Sequence, residues 1–143
     1  MYLSIIFKNN YPYALGAYHF DEGKFPDPTH PGVVTIASGA STTRASTGEP
    51  ILVDVPGMGA ILISCLPDGA PEKYQTALLN PEGKAFKHAA LIRFSGYELL
   101  CGFDSESWNA TLSLDAYGTL KLEKMDAGSK CIEIKIPEII LNA

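Results

Sequence analysis

The chain is poor in the residues that carry chemistry. Its 143 residues include one tryptophan, three histidines and three cysteines. No two cysteines form a CxxC pair, which excludes the zinc and dithiol motifs built on that spacing. His19, His30 and His88 lie far apart, without the short spacing at which two histidines share a strand or helix face toward zinc. No metal and no cofactor are therefore expected. Glycines are plentiful, but none opens a Gly-Lys-Ser/Thr phosphate loop, and no G-x-S-x-G turn presents a strained serine. Basic residues are few: 11 Lys and Arg stand against 16 Asp and Glu, for a net charge of −5. The charges are scattered, so a nucleic-acid partner held by a basic face is excluded.

Long apolar runs are also missing. The first eight residues, MYLSIIFK, are apolar but lack a basic leader and a small-residue cleavage site, and they are far too short to span a bilayer. They are expected to form the first strand, with no transmembrane segment and no amphipathic helix before it. A cytoplasmic location is expected, or secretion without a recognisable signal peptide. Cys65, Cys101 and Cys131 each sit in apolar surroundings. The odd count fits three reduced, buried thiols, with one disulfide and a spare as the alternative.

What the chain does have is strand signal. Hydrophobic residues make up 46%, enough for one packed domain. The centre is ILVDVPGMGAILISCL at 51–66. Two runs rich in β-branched residues flank Pro-Gly-Met-Gly, a connection that a helix could not absorb. The second run is nearly continuous and is expected to be buried on both faces. Similar runs recur at 2–8, 13–20, 33–38, 97–103, 110–114, 119–124 and 131–141, divided by Asn, Asp, Gly and Pro turns. In the last run, Ile132, Ile134 and Ile136 alternate with Glu133 and Lys135 as in a half-exposed strand, either internal or a dimerising edge. The polar stretch 39–48 (GASTTRASTG) reads as a mobile loop or a weak edge ribbon. Residues 72–80 fit a short helix behind Pro71 or a strand ending at Asn80-Pro-Glu-Gly83, and the balance leans to strand. About nine or ten strands at this spacing predict one all-β domain, an antiparallel β-sandwich with room for one short helix within 71–94.

Candidate functional residues come from aromatic placement. Tyr11 and Tyr13 stand in a cluster with Tyr18, Phe20 and Phe25, and Trp108 is flanked by Ser, Glu and Asn. Tyrosine and tryptophan join an apolar body to a polar tip, which suits sugar faces, lipid headgroups and protein partners. A Trp in polar company is expected to be partly exposed. In the plainer reading Tyr13 and its neighbours are core and Trp108 plugs one end of the sandwich. Arg44, alone among Ser and Thr, is a candidate anion contact or a simple loop charge. His19 and Asp21 share a face with a Ser or Thr of 39–48 in reach, but a strand-end histidine beside a turn aspartate explains them equally. No catalytic set emerges, and no enzyme is expected.

Over residues 3–69 the chain resembles the actinoporin-like and aegerolysin-like cytolysins and lectins. The likeness rests on Asn9-Asn10-Tyr11 after the first strand and the aromatic run Ala14 to Phe20. It continues through Gly23, Pro28 and Pro31-Gly32, the Thr/Ser strand at 33–38, Gly57 to Ile63, and Asp68-Gly69. The resemblance implies a compact β-sandwich that binds membrane lipids or glycans without catalysis. Its headgroup-binding aromatic segment has no counterpart at 67–74, so the ligand-binding candidates remain Tyr11, Tyr13, Trp108 and Arg44. The alternative is a small acidic protein that binds another protein, as an inhibitor or toxin-immunity protein does.

Overall fold

The computed structural model describes residues 2–19 and 33–135. Its strands are β1 (Tyr2–Asn9), β2 (Leu15–His19), β3 (Val34–Ile36), β4 (Ser41–Ser46), β5 (Ile51–Val55) and β6 (Gly59–Leu66). A short helix, α1 (Glu72–Gln75), precedes β7 (His88–Phe94), β8 (Tyr97–Phe103), β9 (Ser107–Leu114), β10 (Leu120–Met125) and β11 (Lys130–Lys135). They form a four-stranded sheet, β10-β9-β1-β4, and a seven-stranded sheet, β11-β8-β7-β6-β5-β2-β3. The all-β sandwich expected from the sequence is the fold. One pairing departs from the antiparallel expectation: β1 runs parallel to β9, with Tyr2 opposite Ser107 and Asn9 opposite Leu114.

Period-2 alternation builds the core between the sheets. Leu3, Ile5 and Phe7 of β1 face inward at 1% exposure, while Ser4 and Ile6 face out. The central hairpin pairs Ile51 with Ile63 and Val53 with Ile61, four buried side chains on one face. Burial of each such side chain stabilises by about 1.5–3 kcal/mol. The expectation that 60–66 is buried on both faces is corrected, because Leu62 and Ser64 are half-exposed on the outer face.

Part of that outer face is covered by residues 67–87. Ala70, Leu78 and Phe86 pack there on Ala89 and Leu100, with Ile132 and Ile134 at the margin. The lean toward a strand at 72–80 is overturned: α1 starts behind Pro71, with Tyr74 N donating to Pro71 O at 2.9 Å. A segment laid across a sheet face has no ladder to join, so its backbone must bond locally. The helical turn does this, and so does the Asn80-Pro-Glu-Gly83 turn, where Asn80 Oδ1 accepts from Glu82 N and Lys84 N.

The cysteine expectation is corrected as well. Antiparallel pairing sets Cys101 of β8 opposite Cys131 of β11, and the two form a disulfide with Cα atoms 4.0 Å apart. Cys65 is free and half-buried, and burial raises its thiol pKa. All three lie in one row across the sheet: Cys65 opposite Ala90, Ala90 opposite Cys101, Cys101 opposite Cys131. Linear spacing carries no trace of that register. The half-exposed strand expected around Glu133 is present, with Ile132 and Ile134 partly buried against the 67–87 cover and Glu133 exposed, and β11 ends its sheet among the described residues. Asp21, His30 and Ile136 lie outside the described residues, as does the side chain of His19.

Gly102 is a point of close approach. A Cβ there would fall inside the Phe86 ring, so the absence of a side chain on β8 is what seats Phe86. Gly102→Ala is expected to lower stability by about 2 kcal/mol in urea unfolding, the usual cost of overpacking. Phe86→Leu in the same background should restore part of it, and additive losses would contradict the contact.

Candidate functional site

The strands bring four loops to one end of the sandwich. Residues 10–14 follow β1, 56–58 join β5 to β6, 95–96 join β7 to β8, and 115–119 join β9 to β10. The parallel β1/β9 pairing makes the first and last of these neighbours, and Asn10 N donates to Leu114 O at 2.8 Å.

Asn9, 0% exposed, fixes the first loop. Its Nδ2 donates to Tyr13 O and Ile36 O, both at 2.9 Å, and its Oδ1 accepts from Tyr11 N at 3.0 Å. A buried amide bonded on both its nitrogen and its oxygen holds its surroundings in one arrangement. Tyr11 is half-buried; its hydroxyl donates to Pro56 O at 3.4 Å. Met58 packs where a side chain on Gly118 would stand, with the Tyr11 ring beside it. Tyr13, 60% exposed, meets Tyr11 edge-on with ring centroids 5.6 Å apart. Tyr11 and Tyr13 are thus brought together.

Two further aromatic groups stand at this end. Tyr117 is 90% exposed at the tip of 115–119. Its backbone is pinned because Asp115 Oδ1 accepts from Tyr117 N at 2.8 Å and from Thr119 N at 2.9 Å. Tyr97 lines a cavity of about 390 Å³ with Met58, Phe94, Thr119, Leu120 and Glu133. Burial pushes the Tyr97 hydroxyl above its ordinary pKa of 10.0, and the Glu133 carboxylate adds to the shift. Sequence reasoning missed Tyr117, although an aromatic inside the Asp-Ala-Tyr-Gly turn was a visible signal.

The other two candidates lie elsewhere. Trp108 is not in an exposed loop: it sits in β9 at 0% exposure, opposite Leu3 and away from the tyrosines. Its ring stacks on Phe103 with centroids 5.8 Å apart, and Phe103 in turn meets His88 at 5.7 Å. Its polar neighbours misled because they occupy the alternate, outward positions of a strand, half-exposed Ser107 and exposed Asn109. Arg44 belongs to β4, the edge of the small sheet, opposite Ile5 in mid-ladder and half-buried. It is not part of the aromatic end. The stretch 39–48 is the edge ribbon of the two expected forms.

His88 is held by Pro67 O, 3.0 Å from Nδ1, and by Glu106, 3.6 Å from Nε2. Asp104 accepts from Asn80 Nδ2 and Lys87 N. No group of three or more His, Cys, Asp or Glu side chains is arranged to hold a metal ion among the described residues. No helix among them is long and apolar enough to cross a membrane. The chain matches no protein-family model, no curated protein and no solved structure.

Asn9→Ala should cost about 3 kcal/mol by leaving buried carbonyls unpaired, and Trp108→Ala about 4 kcal/mol by opening a cavity. Tyr13→Ala should stay within about 0.5 kcal/mol of the parent, as exposed positions do. Thermal and urea unfolding of the three variants read this directly.

Tyr97 supplies a pH dependence. A hydroxyl whose pKa is higher in the folded state stabilises the fold fully below pH 10.0, and that contribution is lost as pH rises through the raised folded value. Tyrosinate absorbance should show this residue titrating late. Glu133→Gln should bring it part of the way back, since burial is the larger cause.

Proposed function

We propose that the chain is a non-catalytic recognition domain that binds a lipid headgroup or a glycan through its aromatic end. The observation that carries this reading is that Tyr13 and Tyr117, 60% and 90% exposed, stand on two loops that leave neighbouring strands at the same end of the sandwich, where Tyr13 meets Tyr11 and Tyr97 lines a cavity. Tyrosine rings held in water on turns add little to the stability of the fold. Their rings offer flat apolar area and a hydroxyl at little conformational cost, which is what a sugar face or a headgroup layer requires. The resemblance over residues 3–69 points the same way. Among the described residues, Trp108 enters this reading only as support for the fold, and Arg44 stands apart from the contact surface.

Sedimentation with vesicles of varied headgroup, run beside a glycan array, tests it. The parent should bind one class, and Tyr13→Ala combined with Tyr117→Ala should abolish binding while the unfolding temperature holds. Equal binding by the double variant would refute the assignment. Binding by the parent to neither surface would shift the weight to a protein partner at the same end, to be sought by pull-down.

A further inference from the structure

The outer face of the small sheet carries a second feature that the aromatic end does not use. On β1, Tyr2, Ser4 and Ile6 point outward, and Tyr2 and Ile6 are 44% and 41% exposed. The parallel register places Ser4 beside Asn109 and Ile6 beside Thr111. Across β9, a β-bulge in β10 between Leu122 and Lys124 resets the ladder so that Lys124 lies opposite Thr111. Two outward rows result: Ser4 with Asn109, and Ile6 with Thr111 and Lys124. Asp126 closes the first row, its Oδ2 accepting from Asn109 N at 2.8 Å and from Asn109 Nδ2 at 3.1 Å. Both bonds end on the same carboxylate oxygen, and Asp126 is one of the residues that line the groove. Ser4, Ile6, Asn109, Thr111, Lys124 and Asp126 line a groove of about 270 Å³ together with Ala110 and Met125.

We infer that this groove is a binding site for a neutral saccharide, distinct from the aromatic end. Its lining alternates hydrogen-bonding types at the scale of a sugar ring. Lys124 donates, Asp126 accepts, the Ser4 and Thr111 hydroxyls do both, and the Asn109 amide oxygen accepts. Vicinal hydroxyls, each both donor and acceptor, are the ligand groups that use such a set fully. Charge selects the same class: Asp126 opposes an anion and Lys124 opposes a cation, whereas a neutral polyol meets both without leaving either unpaired. Ile6, 41% exposed and lining the groove, gives the C–H face of a ring an apolar surface. The volume falls below that of drug-sized pockets, which begin at about 300 Å³, and suits a ligand of one ring or two. Bulges recur where a sheet re-aims a side chain, and here the re-aimed side chain is Lys124.

The test is an amide-correlation NMR titration of the full chain with the methyl glycosides of glucose, galactose, mannose and N-acetylglucosamine. At least one should produce saturable shifts centred on Ser4, Ile6, Asn109, Thr111 and Lys124. Thr111→Val, which keeps the side-chain shape, and Lys124→Ala should each weaken binding about tenfold, the loss of one good hydrogen bond to the ligand. Tyr13→Ala with Tyr117→Ala should leave this affinity unchanged. Three results overturn the site: no saturable shift with any of the four sugars, unaltered affinity in both groove variants, or shifts gathered at Tyr13 and Tyr117. The last would strengthen the aromatic end while removing the groove, so the two readings stand or fall separately.

Discussion

A single buried amide holds the two layers and the loop end together. Asn9 closes β1, and its side chain bonds to backbone on both sides, to Tyr11 and Tyr13 ahead of it and to Ile36 beside β2. Its own backbone bonds Ala40 and Gly39 at the start of β4. In a low-dielectric interior a polar group that finds all its partners is strongly directional, and one that loses them is costly. The small sheet, the edge of the large sheet and the first loop are therefore set by one residue. The tyrosine pair inherits its position from that node.

Much of the architecture was legible because strand periodicity and turn chemistry are local. The 51–66 hairpin, the alternation around Glu133, the Asn80–Gly83 turn and the short strands with Gly and Pro between them needed only neighbours in sequence to be read. What stayed hidden depends on register between distant strands. The Cys101–Cys131 bond follows from β8 lying opposite β11, and Trp108 is buried because β9 passes through the sandwich centre beside β1. Ser-Trp-Asn reads as a polar loop along the chain and as an out-in-out strand once the partner is present. The same limit applied to the site. Tyr11 and Tyr13 were visible as neighbours, whereas the loop of Tyr117 is set beside theirs only by the parallel ladder.

The aromatic end draws on loops of both sheets, and the outer groove on the small sheet alone. The β1–β2 crossover and the β9–β10 hairpin carry the exposed rings, and the flat of the strands carries the hydroxyl and amide groups. Neither disturbs the core between the sheets, since the groove side chains Ser4, Ile6, Asn109 and Thr111 and the exposed Tyr13 and Tyr117 stand outside the inward alternation. Function can vary on this frame by changing outward residues alone.

The parallel neighbourhood of β1 and β9 has a consequence for how the chain folds. One neighbour of β1, β4, lies about 40 residues along the chain, but the other, β9, lies about 100 residues along it, with Tyr2 opposite Ser107. The strands β2, β3 and β5 to β8 can pair among themselves without β9, whereas the centre of the small sheet needs β9 beside β1, and β11 closes on β8 from further along the chain still. Long-range closures of this kind are slow and leave apolar surface waiting. The small sheet's half of the core is thus completed through its most distant pairing, and Leu3, Ile5 and Phe7 of β1 gain their full cover only then.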